Sequence, residues 1–212
     1  MTTYSDSRLL DLLHGGKVRP ITRWGEDVMH RPTAPITVFD DDLRELARDM
    51  YATMDAAEGV GLAATQIGLS LSLFVISCPD KDSRIIHVAM CNPVVTLPEG
   101  RARHLEASDE GCLSWPGAFQ PLSRPAVATC RGQNLWGEDI EIVGDGLLAR
   151  CLQHETDHLN GTVFGDRLSL RSRKLLDAQH FEVADRYPAD WPVSPMKPSG
   201  LASFQTSPDA RQ

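Results

Sequence analysis

The stretch CLQHETDHLNG, residues 151–161, constrains the fold more than any other part of the chain. His154 and His158 stand four apart with Glu155 directly after the first, the H-E-x-x-H spacing of metal-dependent hydrolases. On an α-helix such histidines lie roughly 40° apart around the axis, so both imidazoles can reach one ion. Glu155 falls about 100° from His154, beside an ion rather than on it, where a general base for water belongs. The flanking residues support a helix. Asp145 is a candidate cap, Leu148, Cys151, Leu152, Glu155 and Leu159 recur three or four apart, and Gly161 is a stop. A solvated helix with two incidental histidines is the bland alternative, and the cap, apolar face and stop count against it.

Two histidines leave a metal site incomplete. The pattern matches H-E-x-x-H-x-x-G through Gly161, but the position of a third histidine three residues on is Phe164. A carboxylate from a downstream helix would be Glu182, for which a surface glutamate is the simpler reading. Cys151 shares the face of His154 but sits on the apolar stripe, where a small core or pocket-lining role is commoner. Cys112, in the turn-rich DEGCLSWPG (109–117), is preferred on pattern. A thiolate with two imidazoles leaves one position open for water, as a hydrolytic site requires.

The remainder reads as strands followed by a late helix, hence α+β rather than alternating β-α-β units. Residues 1–20 form a polar lead-in. FDDDLRELARDMYATMDAAEG (39–59) predicts a helix with Asp40 or Asp41 as cap and Gly59 as stop. Strand-like runs follow at 71–77, 85–97, 126–130 and 138–143, and a second helical stretch spans 169–187. One catalytic domain over 1–187 results, with Pro- and Ser-rich residues 188–212 expected as a disordered tail.

Composition narrows the function. At 42% hydrophobic and 24% charged residues the chain is globular, and its net charge of −8 argues against nonspecific binding to nucleic acid or anionic membrane. No window is apolar enough for a membrane span, and no basic, apolar leader opens the sequence. The five cysteines are odd in number and contain no C-x-x-C, which favours a reducing, cytoplasmic setting. EGVGLAATQIG (58–68) places Gly59, Gly61 and Ala64 as in a dinucleotide fingerprint, but these glycines follow a helix pattern instead of a strand, and a helix stop is the better reading.

Three segments taken in order are specific. GVGLAATQ (59–66), EGCLS (110–114) and QHETDHLNG (153–161) together resemble the three signature motifs of peptide deformylase, and the likeness runs from about Pro20 to Leu170. The resemblance implies antiparallel sheets around a central metal-bearing helix. It implies that Cys112, His154 and His158 hold the metal with water as fourth ligand, and that Glu155 is the base. It further implies that the Gln66 side-chain amide and the Leu113 backbone N–H stabilise the oxyanion, donors typically worth about 3–4 kcal/mol each. Without it, Gln66 reads as a buried amide bonded to the adjacent strand. The implied reaction removes the formyl group from formyl-methionyl nascent peptides and releases formate. Val60 and Gly61 would line the substrate groove, and Cys151 would border a soft methionine pocket. Glu110 reads as a carboxylate that is either structural or bonded behind a metal ligand, and Trp115 as a rim or core aromatic with equal weight.

General preference favours Zn²⁺ for one thiolate and two imidazoles, whereas the resemblance implies Fe²⁺; the residues do not distinguish these from Ni²⁺ or Co²⁺. Many relatives carry a basic residue or tyrosine after EGCLS-like motifs, but here Phe119 stands near that place and Arg124 is the nearest basic residue, read as an exposed strand arginine. Arg167, Arg171, Arg173 and Lys174 form a candidate ribosome-facing patch, though a solvated basic helix face is about twice as frequent. Nothing demands more than a monomer. A zinc endopeptidase using Glu182 and a noncatalytic metal-stabilised domain are the rival readings.

Overall fold

The computed structural model describes residues 6–198. Helix α1, Asp41–Ala56, begins where the Asp40 carboxylate accepts a hydrogen bond from the Leu43 N–H at 3.0 Å, a side-chain cap that satisfies one free helix donor. Strands β1 (Gly61–Ala63), β2 (Leu73–Pro79) and β3 (Ile85–Thr96) follow, then β4 (Leu105–Cys112) and β5 (Trp115–Pro125). Strands β6 (Val127–Gln133) and β7 (Asp139–Asp145) lead into helix α2, Gly146–Leu159, and helix α3, Leu170–Val183, comes last.

Five strands form one antiparallel sheet in the order β1-β2-β3-β6-β7, and β4 pairs with β5 in a separate hairpin. The α+β class with antiparallel sheets around a central helix therefore holds. Helix α2 packs against every strand of the five-stranded sheet, and α3 covers β5. Every α2 residue from Leu148 to Leu159 is buried, although arginine, glutamine, histidines, glutamate and aspartate are among them. Buried polar groups need partners, so this helix must be surrounded by ligands, hydrogen bonds or both.

Three local features place the site. Strand β1 is short but in register with β2, with Gly61 opposite Ile76, and it runs directly into a 3-10 turn, Ala64–Ile67. The β4–β5 register shifts between Gly111 and Cys112, which ends the hairpin pairing at the cysteine. Asp145 stands at the N-cap of α2, but its side chain makes no capping hydrogen bond.

Both chain ends differ from expectation. The lead-in is not merely polar: Ser7–Leu12 forms a 3-10 helix whose Leu9 and Leu12 enter the core, and Asp49 of α1 accepts from Lys17 N and pairs with Arg19. The disordered tail does not start at Pro188. Trp191 is only 7% exposed and its carbonyl accepts from Ile21 N at 2.8 Å, so residues 188–198 are anchored by an aromatic side chain and a backbone bond. The rest of the expected tail, 199–212, lies outside the described residues.

Candidate active site

Helix α2 presents His154 and His158 on one face, with ring centroids 4.8 Å apart and planes 80° to each other. Cys112 meets them from the end of β4, its Sγ 3.3 Å from His158 Nε2. One ligand atom from each of the three residues lies within 4.8 Å of the others, the single such cluster among the described residues. Soft sulfur, two imidazoles and this convergence fit one divalent ion of the Zn²⁺ or Fe²⁺ type. Glu182 is exposed on α3 and has no place in the cluster, and Phe164 is buried beside His154 as an apolar neighbour.

A carboxylate orients the first histidine. Glu110 Oε1 lies 2.8 Å from His154 Nδ1, while Arg124 reaches both Glu110 oxygens at 2.7 and 2.8 Å and Arg150 adds another bond at 2.8 Å. Burial alone would raise the Glu110 pKa, but Arg124 and His154 hold it well below the usual carboxylate range. An ionised carboxylate only accepts, so His154 Nδ1 carries a proton and Nε2 is the nitrogen that faces the cluster. Burial opposes charge on His154, yet Cys112 and Glu110 lift its pKa well above normal. His158 moves the other way, pushed well below normal by burial and then by the charges of His154 and Arg124.

Arg124 is thus no exposed strand arginine. It is 6% exposed and bridges Glu110 to Asp157 of α2, its Nη1 2.9 Å from Asp157 Oδ2. Arg167 also pairs with Asp157, through Nε at 3.0 Å and through Nη2. Sequence reasoning passed over Arg150 and Asp157. Their signal was charge at positions four before and three after His154, on the face of an otherwise apolar helix.

Glu155 is 3% exposed and its Oε2 has no hydrogen-bond partner among the described residues. Burial raises its pKa to about 7, with the His154 charge pulling the other way, which poises it for proton transfer near neutrality. Gly61 makes room for it: a Cβ there would collide with Glu155 Oε1 and lie 2.7 Å from Cys151 Sγ. Cys151 Sγ in turn sits 3.6 Å from the Val60 carbonyl oxygen. Gln66 Oε1 accepts from Ala63 N at 2.8 Å, and its Nε2 points at Cys112 Sγ (3.7 Å) and Ser114 Oγ (3.4 Å). The amide is therefore both tied to β1 and aimed at the cluster.

Val60, Gly61, Gln66, Cys112, Cys151, His154 and Glu155 line one cleft of about 370 Å³, which also receives Leu113, Phe119, Leu147 and Arg150, while His158 is buried outside its lining. Trp115 does not reach it; it is 1% exposed and stacked on Trp24 at 4.2 Å. Residues 18–174 match the polypeptide deformylase family. The chain belongs to the polypeptide deformylase family. As a deformylase-family protein it is a hydrolase with a metal-binding site. It is 49% identical over 175 residues to peptide deformylase 1 of Streptomyces avermitilis, covering 82% of this chain and 80% of that one. It is 48% identical over 158 residues to a peptide deformylase of Acidothermus cellulolyticus, covering 74% and 83%. The fold superposes with a TM-score of 0.71 on a peptide deformylase from Legionella pneumophila, at 36% identity over 81% of this chain and 99% of that one.

Proposed function

We propose that this cleft hydrolyses the N-terminal formyl amide of formyl-methionyl peptides to formate and a free amine. The observation that carries the reading is the buried Glu155 Oε2, without a hydrogen-bond partner among the described residues, on the helix where Cys112, His154 and His158 converge. These three residues would hold one divalent ion, which when bound supplies Lewis acidity that acidifies water and polarises a carbonyl. Fe²⁺ is the proposed native ion, on the likeness to the family; Zn²⁺, Ni²⁺ and Co²⁺ suit the same donors.

Glu155 accepts a proton from the attacking water, whose oxygen adds to the formyl carbon. The Gln66 Nε2–H and the Leu113 backbone N–H donate to the oxygen that gains charge, each worth about 3–4 kcal/mol in such sites. Glu155 then returns its proton to the leaving nitrogen as the carbon–nitrogen bond breaks, so no net proton is taken from solvent. Cys151 and Val60 beside Gly61 supply an apolar, sulfur-lined wall for the methionine side chain.

The substrate partner is thus a nascent peptide, and the proposed setting is the cytoplasm. All five cysteines are free thiols, as a reducing compartment favours. No helix among the described residues is long and apolar enough to cross a membrane. The proposed acting form is the monomer. The proposed ribosome-facing patch is smaller than its sequence suggests: Arg167 is held by Asp157, and Arg173 stacks 4.1 Å from the Trp115 ring, leaving Arg171 and Lys174 outward. Mass analysis of formyl-Met-Ala-Ser after incubation with metal-loaded protein tests the reaction. Formate and intact Met-Ala-Ser are expected, whereas cleavage of an internal peptide bond would make the endopeptidase reading correct.

A further inference from the structure

The cleft extends past the metal-site residues to two aromatic side chains, Tyr187 and Trp191. Both come after Lys174, where the match to the family model ends. They belong to a strap, 184–198, that is fixed to the domain at several points. Ile21 N donates to the Trp191 carbonyl at 2.8 Å and Arg23 Nη2 to the Pro188 carbonyl at 3.0 Å, while Lys197 N closes the strap on itself by donating to the Arg186 carbonyl at 2.8 Å. Trp191 belongs to the main hydrophobic core, and the Tyr187 ring meets it edge-on at 5.1 Å.

Tyr187 also lies over β5. A Cβ on Gly117 would fall 3.2 Å from the Tyr187 hydroxyl and 2.5 Å from Val183 Cγ2, and Gly117 has a φ of +76°. Only glycine suits both that backbone and that approach. The cleft lining thus joins Leu147 and Cys151 from α2 with Gly117 of β5 and with Tyr187 and Trp191 of the strap.

On the function proposed above, the formylated methionine fills the Cys151 side and the rest of the peptide must leave along the cleft. We propose that Tyr187 and Trp191 form a recognition wall for the residues that follow the formyl-methionine, favouring apolar or aromatic side chains there. Phe119 at 58% exposure and Val60 at 38% leave apolar surface open on the same cleft, which a bound peptide would cover. An aromatic side chain set against the two rings gains edge or stacking contact that a serine cannot make. Tyr187 and Trp191 are specificity-determining residues, not members of the reacting set.

The test compares kcat and KM for formyl-Met-Phe-Phe and formyl-Met-Ser-Ser with metal-loaded, full-length protein. Wild type is expected to favour the aromatic peptide through KM. Tyr187→Ala should cut that preference roughly five-fold, while Tyr187→Phe keeps it. A folded Tyr187→Ala variant with undiminished preference would overturn the recognition wall while leaving the deformylase reading intact. Failure of wild type to release formate from either peptide would overturn both. Because Trp191 is a core residue, its contribution is read on the unmodified protein, with benzoyl-phenylalanine at the second or third peptide position. Photo-attachment within 184–198 is expected, and attachment confined to Phe119 and Val60 would contradict the proposal.

Discussion

Glu110 Oε1 sits 2.8 Å from His154 Nδ1, and the same carboxylate is gripped by Arg124 and Arg150. The hairpin that delivers Cys112 is thereby tied to the helix that delivers both histidines. The tie also fixes which nitrogen of His154 faces the cluster. Partners of this kind typically tune metal affinity 10- to 100-fold, roughly.

Glu110→Gln should therefore lose metal to a competing chelator about 10- to 100-fold more readily than wild type. It also leaves two buried guanidinium groups short of their counter-charge, which costs about 3 kcal/mol or more. Chelator titration followed by thermal unfolding of the metal-free proteins separates the two effects. Unchanged metal affinity would show that His154 is oriented by its helix alone.

The absence of a side chain at Gly61 is what leaves Glu155 its position, since a Cβ there would meet Glu155 Oε1 and Cys151 Sγ. Gly61→Ala is expected to retain the metal, because none of the three proposed ligands is touched, but to lower kcat by about 100-fold through displacement of the proposed base. Metal analysis alongside steady-state kinetics checks both halves. Full activity in a metal-loaded variant would mean that Glu155 does not act from the position seen here.

Cys91 on β3 and Cys130 on β6 give the protein an alkaline limit. Burial pushes both thiols up to about 12, from an ordinary value of 9.0. The unfolded chain gives up these protons first, so it binds fewer protons than the native state above pH 9. Stability then falls as pH rises, by up to about 1.4 kcal/mol per pH unit for each thiol, until the native pKa is reached. Denaturant unfolding between pH 8 and 11 should show this slope, and Cys91→Ala combined with Cys130→Ala should reduce it, leaving the share of Cys151, whose thiol is also raised. Below pH 9 neither thiol should react with alkylating reagents in the folded protein.

How far the sequence revealed these features depended on the range of the interactions. Helix α2 was legible because His154, Glu155 and His158 report on one another through local periodicity. Helix α1 was legible through its Asp40 cap. Cys112 needed the turn chemistry around it and the likeness of three motifs, since a cysteine by itself carries no address. The β4–β5 hairpin was not read: Leu105–Asp109 are all solvent-exposed, so no alternation marks the strand. Arg124 looked like a surface residue between serine and proline. Its burial comes from partners 14 and 33 residues away, which no local pattern encodes. Residues 188–198 have the composition of a free tail, and the single large side chain of Trp191 overrides it.

The most direct measurement is formate release from a formyl-Met tripeptide by anaerobically prepared, iron-loaded wild type beside an equally loaded Glu155→Ala variant. Rapid release that falls by about 100- to 10,000-fold in a folded, metal-bearing variant is the predicted result. Equal release by the two proteins would contradict the assignment of Glu155 as the base on which the proposed chemistry rests.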